Sequence, residues 1–252
     1  MTVWVPERLI GIAVAVCAGL LLGTHVGVAA QHVTVSGRVE LTKTASRSRE
    51  ADPANVVVWL TPVAGLPTTL QLANPPRQHV RLLQKNKSFQ PHILVATEGA
   101  EVEFPNADPF FHNVFSLFEG RRFDLGLYEA GSSRTLRFDR PGISYIFCNI
   151  HPEMSAAIVI LKTPYYGVSD RAGKITIPDV RNGTYVLEVW DEAAPPDVLK
   201  TLEREISVSN QSASLGVIHL IRNSALHVGH KNKYGRDYES PTPSNPAYKQ
   251  PP

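Results

Sequence analysis

One segment, Phe147-Cys148-Asn149-Ile150-His151-Pro152-Glu153-Met154, places a thiol, an imidazole and a thioether on a few consecutive residues. The chain has two cysteines and two methionines, and the other two sulfur residues, Met1 and Cys17, lie near the N-terminus. Soft sulfur donors beside an imidazole form the kind of ligand set that selects copper. The sequence therefore predicts a metal-binding loop that contains Cys148, His151 and Met154.

The sequence on either side of this loop predicts two β-strands. Residues 143–147 alternate in polarity after the turn Pro141-Gly142, and residues 156–161 form a continuous apolar run that ends before Pro164. We therefore expect Cys148 to end one strand and Met154 to precede the next.

A second histidine, His112, follows another predicted strand at residues 101–104 and the turn at residues 105–109. It lies among phenylalanines and is followed by Asn113. From the residues alone, His112 is either a hydrogen-bonded histidine of the core or a metal ligand in an apolar wall.

The composition indicates an all-β protein. The 252 residues include 20 prolines and 17 glycines in short clusters, and 43% of the residues are hydrophobic. The net charge of +2 indicates neither a nucleic acid nor an anionic membrane as a partner. No pattern for binding a small-molecule substrate stands out, and we expect no enzyme activity because no catalytic triad or carboxylate pair is evident.

The N-terminus predicts export. Residues 1–30 contain a short polar start, an apolar run and small residues before Gln31, as in a cleaved signal peptide of a periplasmic protein. An uncleaved membrane anchor and a lipid anchor on Cys17 are the alternatives. Exported proteins usually hold cysteines as disulfides, and loss of the leader leaves Cys148 without a partner in the chain.

Together these features resemble the cupredoxins, the blue copper proteins, over residues 84–161. The matching residues are His112-Asn113 and the loop Cys148-x-x-His151-x-x-Met154, whose spacing is similar to that of amicyanin. The resemblance implies a Greek-key β-sandwich that binds one type 1 copper ion. It implies His112, Cys148 and His151 as equatorial ligands and Met154 as the axial ligand. It also implies one-electron transfer with a cytochrome or a dehydrogenase as the redox partner.

The resemblance further implies roles for residues around the ligands. Asn113 would connect the two ligand-bearing loops by hydrogen bonds. A dry aromatic shell would contain Phe110, Phe111, Phe115 and Phe147. His151 would be the least buried ligand. Zinc is the competing metal, but structural zinc sites normally have a second thiolate or a carboxylate.

A second resemblance concerns the flanking sequence. Residues 31–65 and 163–222 are similar to the prealbumin-like, carboxypeptidase regulatory-like β-sandwich, through alternating strands and the motif Gly183-Thr184-Tyr185. We expect this smaller sandwich to be discontinuous, with the cupredoxin domain (residues 78–162) inserted into it. The alternative is that residues 31–65 add strands to the cupredoxin. The combination is similar to exported proteins of the methylamine-utilisation-like class.

The remaining expectations are less specific. Residues 223–252 predict a flexible tail, in which His227 and His230 could form a weak metal site. His92 begins a predicted strand and could approach the copper site. An electron carrier is the leading function, and copper handling or a structural β module are the alternatives.

Overall fold

A computed structural model describes residues 1–2, 32–42, 52–63, 78–117, 120–222 and 231–238. The predicted leader lies almost entirely outside these residues. None of the helices among the described residues is long and apolar enough to cross a membrane.

The described residues confirm the prediction of an all-β protein. One short helix, α1 (Pro196–Thr201), accompanies the strands. The strands are β1 (His32–Leu41), β2 (Val57–Pro62), β3 (His79–Arg81), β4 (Leu83–Gln84), β5 (Phe89–Gln90), β6 (Ile93–Thr97), β7 (Ala100–Pro105), β8 (His112–Ser116), β9 (Phe123–Tyr128), β10 (Ser133–Phe138), β11 (Gly142–Phe147), β12 (Ser155–Leu161), β13 (Tyr166–Val168), β14 (Lys174–Arg181), β15 (Gly183–Trp190), β16 (Arg204–Val208) and β17 (Ser214–Leu220).

The first sandwich combines strands from residues 32–62 with strands from residues 166–220. One sheet has the order β14-β1-β17 and the other has the order β13-β2-β15-β16. Alternate residues of each strand face the shared core, for example Val35 and Val39 of β1 against Leu187 of β15. Strands β1 and β2 thus pair with strands of residues 166–220. The exact domain boundaries stay a prediction.

The second sandwich lies between these two groups of strands in the sequence. A five-stranded sheet, β6-β12-β11-β8-β9, packs on the three-stranded sheet β10-β7-β3. Its core contains Phe104, Phe138, Ile146 and Ile158, together with Cys148. Cys148, which the sequence predicts as a metal ligand, therefore belongs to a hydrophobic core.

Strand β12 is apolar without alternation because both of its faces are buried. Ile158 and Ile160 face the core of the second sandwich, whereas Val159 packs with Val57 and Trp190 of the first sandwich. Burial on both faces is the usual reason for a continuous apolar strand. The strand that follows Met154 is consequently held from both sides.

Part of the C-terminal region contacts the rest of the protein. Residues 231–238 form a compact turn that is hydrogen-bonded to the rest of the protein, and the flexibility of the predicted tail, residues 223–252, stays a prediction. The predicted weak site at His227 and His230 lies outside the described residues.

Candidate metal centre

The antiparallel pairing of β8 with β11 brings the two parts of the candidate site together. Phe115 lies opposite Phe147, so the start of β8, which carries His112, lies beside the loop that leaves β11. Cys148 is the first residue after β11, and Met154 is the last residue before β12.

Three donor atoms converge at this point. The Sγ atom of Cys148 lies 3.8 Å from Nδ1 of His112 and 3.7 Å from Nδ1 of His151. The imidazole rings of the two histidines are 4.9 Å apart between centroids and inclined by 65°. Among the described residues, these three form a group whose ligand atoms all lie within 4.8 Å of one another and could hold a metal ion.

The spacing of the donors fits a single ion. Nitrogen and sulfur atoms bound to one ion at about 2.0–2.3 Å, with tetrahedral to trigonal angles, lie about 3.5–3.8 Å apart. Both measured separations between nitrogen and sulfur agree with this range. These two separations are therefore those expected around a single trigonal or tetrahedral ion.

The environment keeps both imidazoles in the neutral form that binds metals. Burial lowers the pKa of His112, and it lowers the pKa of His151 to about 4. His112 is completely buried and His151 is 3% exposed, so His151 is the least buried of the predicted ligands by a small margin.

Asp108 determines the orientation of His112, and it was not predicted from the sequence. Its Oδ2 atom lies 2.8 Å from Nε2 of His112 and accepts the proton of that nitrogen, which leaves the lone pair of Nδ1 facing Cys148. A carboxylate behind a metal-binding histidine is a common way to fix its tautomer. Asp108 is the carboxylate nearest before His112 in the sequence, and this could have signalled its role.

A tight hairpin turn holds the Asp108 carboxylate by hydrogen bonds. Strands β4 and β5 are joined through Asn86 and Lys87, both in the left-handed region with φ of 56° and 53°. Their backbone N–H groups donate to the Asp108 carboxylate at 2.6 and 2.9 Å. Burial alone would raise the pKa of Asp108, but these donors and His112 lower it below its usual value, so the carboxylate stays charged.

The thiol of Cys148 is a free thiol surrounded by backbone donors. Burial raises its pKa, whereas hydrogen bonds from the backbone N–H groups of Asn113, Ile150 and His151 lower it. Such donors stabilise a thiolate once a cation is nearby, because they neutralise part of its charge within the apolar core.

Met154 is fully buried in the same core cluster as Cys148. The loop closes on itself, because the N–H of Cys148 donates to the carbonyl of Met154 at 3.3 Å and the N–H of Met154 donates to the carbonyl of His151 at 3.1 Å. These bonds therefore place the backbone of Met154, the fourth predicted ligand, beside that of Cys148.

Two adjacent phenylalanines of the expected aromatic shell, Phe110 and Phe111, differ in their relation to the site. Phe110 packs on both imidazoles, with ring centroids 5.2 Å from His112 and 5.6 Å from His151. Phe111, in contrast, is 51% exposed, so its ring lies largely in solvent. The ring of Phe147 packs against Phe115, its partner in the pairing of β11 with β8.

Asn113 also differs from the expectation. Its side-chain Nδ2 donates to Oδ1 of Asp124 at 2.7 Å and to the carbonyl of Gly126 at 2.9 Å, both on strand β9. Its side chain thus binds the neighbouring strand β9.

His92 is not part of the donor group, but its Nδ1 atom lies 3.2 Å from the carbonyl oxygen of Ser155, the residue after Met154. Its Nε2 atom lies 2.6 Å from Oε2 of Glu192.

No family model and no curated protein sequence matches this chain. Several solved structures resemble part of it. One is a copper-containing nitrite reductase from Thermus scotoductus SA-01, with 26% identity over 40% of this chain and a TM-score of 0.32. The match spans 25% of the length of that reductase.

Two further similar structures are small proteins. A purple cupredoxin from Nitrosopumilus maritimus has 18% identity, with 33% of this chain and 99% of that protein covered and a TM-score of 0.29. A reduced amicyanin mutant has 17% identity, with 35% of this chain and 88% of that protein covered and a TM-score of 0.32.

Proposed function

We propose that this protein is an exported, cupredoxin-like protein that binds one type 1 copper ion and carries single electrons. The observation that supports the proposal most directly is the buried group of one thiol and two imidazoles, with both Nδ1 atoms within 3.8 Å of Sγ. Copper bound at this group would supply one-electron redox chemistry.

The donor set favours copper over zinc. His112, Cys148 and His151 supply two nitrogens and one thiolate, and Met154 supplies a thioether from the same loop. Two imidazoles, a thiolate and a weak axial thioether are typical of blue copper sites. Zinc prefers a second thiolate, a third imidazole or a carboxylate.

The surroundings of the group favour electron transfer over catalysis. The four predicted ligands are at most 3% exposed, and the Phe110 ring covers both imidazoles. A buried group has no room for a substrate at the ion, whereas an electron can pass through the few atoms that separate the site from solvent. We therefore propose no enzyme activity and a redox protein, a cytochrome or a dehydrogenase, as the partner.

The proposal of an exported, periplasmic protein rests on the sequence of residues 1–30. A free cysteine that is used as a metal ligand needs no disulfide partner in an oxidising compartment, which is consistent with export.

Addition of copper(II) to the purified protein tests the proposal. We expect an intense thiolate-to-copper visible band that a reductant removes and an oxidant restores. Cys148→Ser should abolish the band, because the thiolate is lost, whereas Ser144→Ala on strand β11 should leave it unchanged. A colourless protein that binds copper(I) alone would contradict the electron carrier and support copper handling. Failure to bind copper would contradict both.

A further inference from the structure

A short segment near the C-terminus, residues 231–238, lies against the candidate metal loop; we call it the C-terminal strap. Asn232 organises the strap, because its Oδ1 atom accepts the N–H groups of Tyr234 and Arg236 at 3.0 and 3.1 Å. Its own N–H donates to the carbonyl of Arg236 at 2.9 Å, and Gly235 completes the turn in the left-handed region with φ of 72°. The strap is therefore a preformed turn.

Two hydrogen bonds join the strap directly to the metal loop. The hydroxyl of Tyr238 donates to the carbonyl of Cys148 at 2.7 Å. The N–H of Lys233 donates to Oδ1 of Asn149 at 2.9 Å. Both bonds hold the point at which the chain leaves β11 and enters the loop with the predicted ligands.

The strap also reaches the side of the site that carries His112. The ammonium group of Lys233 lies 2.8 Å from Oδ2 of Asp124 on β9. The other oxygen of Asp124 accepts a hydrogen bond from Asn113, the residue after His112. Asn113, Asp124, Lys233 and Asn149 thus form a chain of polar contacts between the residues that follow two ligands.

This chain of contacts adds to the direct connection in the core, where the backbone N–H of Asn113 is hydrogen-bonded to the Cys148 thiol. Within the loop, the backbone bond of Cys148, at 3.3 Å, is slightly longer than usual, and that of Met154, at 3.1 Å, is at the long end of the normal range. The side chain of Asn113, expected to join the two parts, is directed to β9 instead. Contacts from outside the loop, such as those of the strap, therefore help to fix the position of Cys148.

We propose that Tyr238 and Lys233 are positioning residues for the metal site, which hold the Cys148 loop against the strand that carries His112. The inference rests on the proposed function, because the position of this loop matters through the ligands on it. Residues that orient ligands change metal affinity about 10- to 100-fold when they are replaced. The strap thus slows the release of the ion and keeps the donors spaced for it.

The first measurement uses the metal-free full-length protein. We expect amide hydrogen exchange in residues 148–154 to rise roughly fivefold in Tyr238→Phe and in Lys233→Gln, since each loses a contact worth about one hydrogen bond. Tyr234→Phe and Arg236→Gln are the controls, because they remove a hydroxyl and a positive charge from exposed side chains of the strap, and Tyr234→Phe keeps the ring beneath the Lys233 ammonium. Unchanged exchange in both test variants, or an equal rise in the controls, would overturn the inference.

The second measurement follows the transfer of copper(I) from the loaded protein to a chelator. The two test variants should release copper about tenfold faster than the wild type and the controls, with an altered visible spectrum of the copper(II) form. Equal release rates in all five proteins would overturn the positioning role. A wild-type protein without the copper band, but with the expected order of exchange rates, would contradict the proposed function and leave the strap as a support of the fold.

Discussion

The carboxylate of Asp108 lies 2.8 Å from Nε2 of His112, and both side chains are buried. This contact prepares a buried histidine to bind a metal ion, because the proton held at Nε2 leaves the lone pair of Nδ1 facing Cys148. The hairpin turn at Asn86 and Lys87 holds the carboxylate from behind. The orientation of His112 thus depends on three separate segments of the chain.

We predict that Asp108→Asn weakens copper(I) binding about 10- to 100-fold. The carboxamide has one acceptor oxygen, so it cannot accept from Asn86, Lys87 and His112 as the carboxylate does. A competition titration with a chelator measures the affinity. Glu153→Gln is the control. Glu153 is an exposed residue of the loop between Cys148 and Met154, and its replacement also removes one negative charge. Equal losses of affinity in the two variants would contradict the orienting role of Asp108.

Phe110 and Phe111 are adjacent, and they differ in their relation to the site. We predict that Phe110→Ala lowers the reduction potential and speeds the loss of copper, because water gains access to both imidazoles. Phe111→Ala should leave both properties unchanged, since its ring is 51% exposed. A spectroelectrochemical titration of the two variants measures the potential. Similar shifts in both would show that the ring of Phe110 does not shield the histidines.

Arg222 fixes the end of β17 to the first sandwich. Its guanidinium binds the carboxylate of Asp191 at 2.6–3.1 Å and the carbonyls of Asp52 and Ala54 at 2.6 and 2.9 Å. We predict that Arg222→Met lowers the free energy of unfolding by about 3–5 kcal/mol, because Asp191 stays buried without its partner. Urea denaturation measures the change. Arg38→Met, which breaks the exposed pair with Glu40, should cost at most about 1 kcal/mol.

The contact between His92 and Glu192 connects the two sandwiches and predicts a pH dependence of stability. The hydrogen bond to Glu192 raises the pKa of His92 above 6.5, against the effect of burial. The stabilisation is therefore complete below about pH 6.5, as long as Glu192 is charged, and is lost as the pH rises through the folded pKa. His92→Asn should destabilise the protein more at about pH 5.5 than at about pH 8.5.

Urea denaturation at the two pH values measures this difference. His79→Asn is the matched control, since His79 pairs with Glu101 on the surface and is 73% exposed. The prediction is wrong if the loss of stability changes with pH no more in His92→Asn than in His79→Asn.

The sequence predicted well what depends on local pattern and rare residue types. Strands β11 and β12 follow from alternation and from a continuous apolar run, and the loop between them contains Cys148 and Met154. The role of Asp108 could not be read in the same way, because it depends on a turn of another hairpin that lies about twenty residues earlier. The different positions of Phe110 and Phe111 could not be predicted either, because both lie in the irregular segment before β8, where no strand alternation applies.

By itself, the sequence determined the class of fold and the chemistry of the donors. Strand periodicity follows from which side chains must be buried, and the affinity of sulfur and imidazole for soft metals belongs to the side chains themselves. The tertiary structure decided which donors meet and what holds them. Convergence of His112 on Cys148 requires the β8–β11 pairing, and the contact of Tyr238 with Cys148 spans 90 residues of chain. Contacts over such separations depend on the packing of the whole fold, which no local pattern contains.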